Sequence, residues 1–170
     1  MSEPTQKMGT GMIVASWVII ITMLTLAFSG FLDNKYNPNQ NVETYQNTTT
    51  GQREVILQRG HHGHYVATGT INGTAVTFLL DTGATDIAIP EHIAKKIGLK
   101  RGMPMQVSTA NGSITVYSSR LNSVTLGLIE LNNVRANINP YMDGDEVLLG
   151  MSFLKHLEMV QKGEVLILRL

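Results

Sequence analysis

The sequence predicts a small all-β domain with one or two short helices, preceded by an N-terminal transmembrane helix. Residues 12–28 carry no charge, and the apolar run continues to residue 32, which is long enough to cross the hydrocarbon core of a bilayer. From Arg53 onward, short segments rich in Val, Ile and Thr alternate with turn residues. No repeat of fixed length is visible, so these strands are expected to form one closed domain.

Composition narrows the possible functions. The 170 residues include 13 basic and 13 acidic side chains and no cysteine. The balanced charge, with no basic cluster along the chain, argues against a nucleic-acid partner. The lack of cysteine excludes disulfides, thiol catalysis and cysteine-bound zinc, so any chemistry must come from carboxylates, hydroxyls, histidines or backbone groups.

The N-terminal part is interpreted as a cytoplasmic tail, residues 1–11, and a membrane anchor, residues 12–32. A cleaved signal peptide is the alternative, because Ala27 and Ser29 are small residues at a cleavage-like spacing. The long apolar run and its weakly basic flank favour an uncleaved anchor. Lys7 and the terminal amine precede the span, which places the N-terminus in the cytoplasm by the positive-inside tendency.

Residues 33–52 are polar, rich in Asn and Thr, and lack apolar periodicity. This composition is typical of a solvated linker. The folded domain is therefore expected to occupy residues 53–170.

Two Asn-Gly pairs predict hairpins in this domain, since Asn-Gly is the strongest short signal for a two-residue turn. Asn72-Gly73 separates two β-prone segments, and Asn111-Gly112 separates two more. Pro90 begins a short helix that Gly98 ends, and a second helix is expected from Met151 to about Leu157. The strands are predicted at residues 55–58, 65–71, 74–80, 105–109, 114–118, 124–126, 129–138 and 164–170.

The apolar strand that ends at Leu80 leads directly into Asp81, Thr82 and Gly83. This order places a carboxylate at the C-terminal end of a core strand, beside a hydroxyl group. The glycine that follows allows another backbone or a substrate to approach closely. A single carboxylate is a poor catalyst of peptide hydrolysis, whereas two carboxylates about 3 Å apart share one proton and act as base and acid. The chain has one such unit, so a twofold dimer must supply the second Asp81.

Three motifs occur along the chain in a diagnostic order. They are Phe78-Leu79-Leu80-Asp81-Thr82-Gly83-Ala84-Thr85, Ser108-Thr109-Ala110-Asn111-Gly112-Ser113 and Val147-Leu148-Leu149-Gly150-Met151-Ser152-Phe153-Leu154. Through these motifs the chain, from about residue 63 onward, resembles the retropepsin-like aspartic proteases of clan AA, in particular the bacterial membrane-anchored branch with a single domain. The resemblance implies a half-barrel fold and activity only as a homodimer.

The resemblance also implies a role for each residue of the first motif. Asp81 is the general acid and base, paired with its symmetry mate. Thr82 hydrogen-bonds across the dimer beneath the two acids, and Gly83 offers backbone groups to a bound peptide. Ala84 and Thr85 complete the supporting loop.

The other two motifs are implied to cover and support the site. Ala110, Asn111 and Gly112 form a flap that closes over the substrate. Leu149 and Gly150 pack behind the catalytic loop, where glycine permits a close approach. A peptide is expected to lie extended between the subunits and to add strand-like hydrogen bonds to the flaps.

Two departures from the retroviral members weaken the expected dimer. Those members carry an Asp where this chain has Thr85 and an Arg where it has Met151, and the two form an ion pair at the interface. Asp86 is not assumed to replace it. Confinement of two anchored chains to one membrane raises their effective concentration and compensates for a weak interface.

The expected function is an aspartic endopeptidase that acts on peptides or proteins, without cofactor or metal, on the periplasmic side of a bacterial inner membrane. Its activity is expected to peak below neutrality, because the dyad must hold one proton. The alternative is a catalytically silent, membrane-tethered dimeric module that binds peptides in the same cleft. A metal site at His61, His62 and His64 is disfavoured, because no acidic ligand lies at a diagnostic spacing.

Overall fold

A computed structural model describes residues 4–61, 63–109 and 112–170 of the chain. It contains two units, an N-terminal helix that ends at Tyr36 and a domain from Asn37 to Leu170. In order, the elements are α1 (Pro4–Tyr36), β1 (Glu43–Gln46), β2 (Arg53–Gln58), β3 (Val66–Ile71), β4 (Thr74–Leu80), β5 (Ile87–Pro90), α2 (Glu91–Lys96), β6 (Pro104–Thr109), β7 (Gly112–Leu126), β8 (Ile129–Asn139), β9 (Glu146–Leu149), α3 (Met151–Leu154), β10 (Glu158–Lys162) and β11 (Val165–Arg169).

Helix α1 is long and apolar enough to cross a membrane. Its Gly11–Phe28 stretch has a mean hydropathy of 2.3, and none of this stretch is buried against protein. Ser16 and Thr22 each donate a hydrogen bond of 2.8 Å to the carbonyl four residues earlier, so their hydroxyls need no water. The predicted apolar N-terminal helix is confirmed, although a signal sequence has the same length and composition.

The domain is built on a closed barrel. Strands β3, β4, β9, β5, β8 and β7 are neighbours in one sheet, and pairing of β3 with β7 closes the ring. Strand β6 extends outward as the partner of β7. A separate four-stranded sheet has the order β1-β2-β11-β10. The prediction of an all-β domain with one or two short helices is confirmed, because α2 and α3 are the only helices after α1 among the described residues.

The core follows from the alternation of the strands. In β4, Val76 and Phe78 are buried while the intervening residues are not, as expected for a strand with one face inward. All four residues of β5 are buried, because this strand lies between β8 and β9 inside the sheet. The segment from Asp81 to Asp86 therefore joins a strand that packs one face on the core, β4, to a strand that is fully buried, β5.

The first predicted hairpin turn is present. Asn72 and Gly73 have φ angles of 50° and 79°, the left-handed values that a type I′ turn requires. The second hairpin joins β6 to β7 with Thr109 opposite Gly112. Ala110 and Asn111, at its tip, lie outside the described residues. Helix α3 ends at Leu154, three residues before the predicted end.

The prediction of a solvated linker at residues 33–52 does not describe the region from Asn37 onward. Asn37 and Asn39 are 6% and 3% exposed, and β1 pairs with β2. The Asn39 side chain donates to the carbonyls of Gln58 and Val66 at 2.9 and 2.7 Å, and it accepts from the Gln58 amide at 2.7 Å. A polar side chain that satisfies backbone groups of β2 and β3 can be buried without apolar periodicity.

Replacing Asn39 by alanine is expected to destabilise the domain by about 2–3 kcal/mol, because three backbone groups of Gln58 and Val66 lose their partner. Asn41 is exposed, so Asn41→Ala is the matched control and should change the unfolding free energy by less than about 0.5 kcal/mol. Urea unfolding of the detergent-solubilised chain, followed by circular dichroism, measures both. Equal stability of the two variants would contradict a structural role for Asn39.

Candidate active site

The loop from Asp81 to Asp86 joins β4 to β5 in the middle of the barrel wall. Strand β4 runs parallel to β9, with Leu80 opposite Leu149. The Asp81 amide then donates to the Leu149 carbonyl at 3.2 Å. The barrel therefore fixes the point at which the acidic residue leaves the sheet.

Hydrogen bonds within the loop orient its carboxylate. The Gly83 amide donates to Asp81 Oδ1 at 2.8 Å, and the Ala84 amide donates to the Asp81 carbonyl at 3.2 Å. Asp81 is half-buried, whereas Thr82, Gly83 and Thr85 are exposed. The carboxylate is thus held in one orientation at a surface that a peptide or a second chain can reach.

Gly150 lies directly beneath the loop. A Cβ atom at this position would be 2.3 Å from the Asp86 carbonyl oxygen and 2.6 Å from that of Ala84. The amides of Met151 and Ser152, at the start of α3, donate to the carbonyls of Ala84 and Thr85 at 2.8 Å each. First-turn amides of a helix have no partner within the helix, so these two bonds satisfy them and hold the loop.

Ser152 was missed by the sequence analysis as a site residue. Its side chain is buried, accepts a hydrogen bond from the Ile87 amide at 3.1 Å, and donates one to the Arg135 carbonyl at 2.8 Å. One hydroxyl therefore joins α3, the first residue of β5 and strand β8. The only available signal was a single hydroxyl residue in the apolar run Met151–Leu154.

Replacing Ser152 by alanine is expected to cost about 1–3 kcal/mol of stability, because the Ile87 amide stays buried without a partner. Ser123 is half-buried and makes its bonds with Asn72 through its backbone, so Ser123→Ala is the control. Hydrogen exchange should accelerate in peptides that contain Ile87 for the first variant alone. Unchanged exchange there would show that the loop does not depend on this hydroxyl.

An ion pair lies at the far end of the loop. A guanidinium nitrogen of Arg135, on β8, lies 3.1 Å from Asp86 Oδ1. That oxygen is buried and accepts no hydrogen bond of good geometry among the described residues. Asp86 is thus paired within its own chain. The neighbouring positions Thr85 and Met151, which are charged in the retroviral members, are uncharged here and form no ion pair.

The hairpin in which β6 pairs with residues 112–117 of β7, hereafter called the arm, contains the predicted flap. Five of the six residues of β6 are exposed, and the Thr109 hydroxyl donates to the Gly112 carbonyl at 2.8 Å. Gly112 has a φ of 116°, which favours glycine. The flap residues Ala110 and Asn111 lie outside the described part of the chain, so their predicted contact with substrate stays a prediction.

The histidine segment is described only in part. His61 and His64 are described and His62 is not. Among the described residues, no group of three His, Cys, Asp or Glu side chains has the geometry to hold a metal ion.

In this barrel one Asp-Thr-Gly loop packs on Gly150 and on the start of α3. This arrangement defines the class of retropepsin-like aspartic proteases. Residues 67–156, more than half of the chain, match the family described as gag-polyprotein putative aspartyl protease. The chain belongs to this family.

The chain is similar to one solved structure of this class and to two curated proteins that are uncharacterized. The crystal structure of a retropepsin-like aspartic protease from Rickettsia conorii has 31% sequence identity and a TM-score of 0.60, over 76% of this chain and 95% of that one. An uncharacterized protein in the cobV 5′ region of Sinorhizobium sp. is 40% identical over 65% of this chain, and an uncharacterized protein of Rickettsia prowazekii (strain Madrid E) is 28% identical over 84%. The matches span 49% and 63% of these two curated relatives.

Proposed function

We propose that the protein is an aspartic endopeptidase that hydrolyses peptide bonds with water activated by two copies of Asp81, one from each subunit of a homodimer. The observation that carries the proposal is the single oriented carboxylate at Asp81, held by the Gly83 amide at 2.8 Å on a loop with exposed Thr82 and Gly83. Because this chain supplies one carboxylate and the neighbouring loop residues are exposed, a second copy of the chain can supply the other carboxylate across a twofold axis.

The chemistry requires one shared proton. The ionised carboxylate takes a proton from water as the water oxygen attacks the peptide carbonyl carbon, while the protonated carboxylate donates to the carbonyl oxygen. Collapse of the tetrahedral diol breaks the C–N bond: the carboxyl group that took the water proton gives it to the departing nitrogen, and the other carboxylate takes a proton from a diol hydroxyl as the product carboxyl group forms. The pair returns to its singly protonated state, which requires an acidic medium and gives a pH optimum below neutrality.

The substrate is proposed to be an extended peptide. A segment in strand conformation can hydrogen-bond to the edge of the arm formed by β6 and β7, and side chains then alternate between pockets. The proposed closing residues are Ala110, Asn111 and Gly112. Leu149 and Gly150 support the opposite side of the cleft through the loop that contains Ala84 and Thr85.

The test is to measure peptidase rate per chain against protein concentration and pH. A diverse peptide mixture is incubated with the detergent-solubilised chain from about pH 3 to about pH 8, and cuts are followed by mass spectrometry. At low concentration the total rate should rise with the square of protein concentration, because the dyad spans two chains. A constant rate per chain in samples that sedimentation shows to be monomeric would reject the shared dyad. A folded dimer without cuts would favour the silent peptide-binding module.

We further propose that α1 stays uncleaved as a single-pass anchor, with the domain on the periplasmic side of a bacterial inner membrane. Two chains in one membrane then meet at a high effective concentration. The full-length chain in liposomes should be more active per chain than residues 37–170 at nanomolar concentration. Equal activity per chain would show that the anchor does not drive dimerisation.

A further inference from the structure

Basic residues from three separate parts of the sequence meet in one groove of the domain. A cavity of about 770 Å³ is lined by the basic residues Lys100, Arg101, Arg120 and Arg135. Asp86 is the one acidic residue that lines it among the described residues. In a chain with 13 basic and 13 acidic residues, this groove therefore has a strong local excess of positive charge.

One of these cations is held in place before any ligand arrives. Arg101 lies over the ring of Tyr117 at 4.2 Å from its centroid and donates a hydrogen bond to Glu91. Desolvation raises the pKa of Glu91, but hydrogen bonds from Arg101 and Lys95 outweigh it and lower that pKa below its ordinary value. Glu91 therefore stays ionised in mild acid and keeps the guanidinium oriented.

Two other cations are not neutralised. Arg120 donates to the uncharged Asn133 Oδ1 at 2.8 Å, so its charge is not cancelled. Lys100 forms no ion pair in the described part of the chain. Arg135 is paired with Asp86, yet its side chain is 58% exposed. The groove thus offers positive groups with unused hydrogen-bond donors.

The groove shares lining residues with two parts of the proposed site. Asp86 is the last residue of the catalytic loop, and Met105 and Ser118 lie on β6 and β7, which form the flap arm. We take a peptide bound along the arm and cleaved at Asp81 to place residues remote from the cleaved bond near these lining residues. A side chain at such a position can enter the groove.

We propose that this groove is a specificity site that binds carboxylate side chains of the peptide substrate on one side of the cleaved bond. The inference rests on the proposed peptidase function. Guanidinium groups bind carboxylates through charge-assisted, often paired hydrogen bonds, so the groove selects acidic peptides over neutral ones of the same length.

The first experiment measures binding without catalysis. Full-length Asp81→Asn protein in detergent is titrated into fluorescein-labelled hexaglutamate or hexaglutamine, and fluorescence anisotropy is read near neutral pH. Hexaglutamate should bind about tenfold more tightly, because several charge-assisted contacts are available to it alone. The added changes Lys100→Gln and Arg120→Gln should remove this difference. The matched control, Lys96→Gln with Lys162→Gln, removes the same charge from exposed residues that do not line the groove and should preserve it.

Equal binding of the two peptides, or equal loss in both double variants, would overturn the inference. The second experiment compares cuts in the peptide mixture, where acidic residues should be enriched at one position for active protein and not for the Lys100→Gln, Arg120→Gln variant. Cuts without this enrichment contradict the specificity site but leave the peptidase proposal intact. Selective binding without any cuts contradicts the peptidase proposal and supports acidic recognition by the groove.

Discussion

Replacement of Asp81 by asparagine should lower peptide hydrolysis by a factor of at least about 10³, because an amide cannot take a proton from water or share one with its mate. The fold should survive, since asparagine has nearly the same size and retains an Oδ1 atom that accepts the Gly83 amide. Mass spectrometry of a cleaved peptide mixture measures the loss, and circular dichroism checks the fold.

Mixing the two proteins sharpens this result. If each active site needs one Asp81 from each chain, an equimolar mixture should have about one quarter of the activity of the same total amount of unmixed wild type, because mixed dimers are inactive. Asp145→Asn is the control, since this carboxylate is exposed and pairs with His92 at 3.0 Å. An Asp81→Asn protein with a rate within about tenfold of wild type would reject Asp81 as the catalyst.

Gly150→Ala is expected to have the second largest effect. Gly150 has a φ of −89°, which alanine adopts freely, so the change tests space alone. The new Cβ would lie 2.3 Å from the Asp86 carbonyl oxygen. That peptide group is held by the bond from the Ile87 amide to Ser152, and the Gly150 carbonyl accepts bonds from two amides of α3. We expect a loss of about 3 kcal/mol or more in unfolding free energy.

The peptidase rate of this variant should fall even under conditions in which the protein remains folded, because the loop that carries Asp81 must move to admit the methyl group. Gly144→Ala is the matched control. Its Cβ would meet Glu146 Oε2 at 2.7 Å, which is the end of a flexible side chain that can move away. Urea unfolding and cleavage rates should be measured on both variants. A Gly150→Ala protein with wild-type stability and rate would contradict the tight packing beneath the loop.

Sequence reasoning located the elements that local rules dictate. The Asn72-Gly73 turn was predictable because few residues tolerate two successive positive φ values. Asp81 and Gly150 were predictable because each follows a short apolar strand and belongs to a motif with family meaning. For these residues, the backbone conformation that the residue type allows and the adjacent sequence are enough for a prediction.

The missed features depend on contacts between distant parts of the chain. Asn39 and Ser152 use their side chains to satisfy backbone groups of other elements, and such bonds leave no periodic pattern. The pair of Asp86 with Arg135 joins residues that meet only after β5 and β8 become neighbours. The cationic groove also forms from separate parts of the chain, so the sequence contains no long run of basic residues that would have predicted it.

The four-stranded sheet has a consequence for the order of folding. Gln58 of β2 pairs with Val165 of β11, more than a hundred residues later in the chain. The hairpin of β3 and β4 requires only a two-residue turn, and loop closure over a long separation is entropically slower. The barrel hairpins should therefore form first, and the sheet that unites the two ends of the domain should form last. A nascent chain would acquire its complete domain only after β11 has been synthesised and can pair with β2.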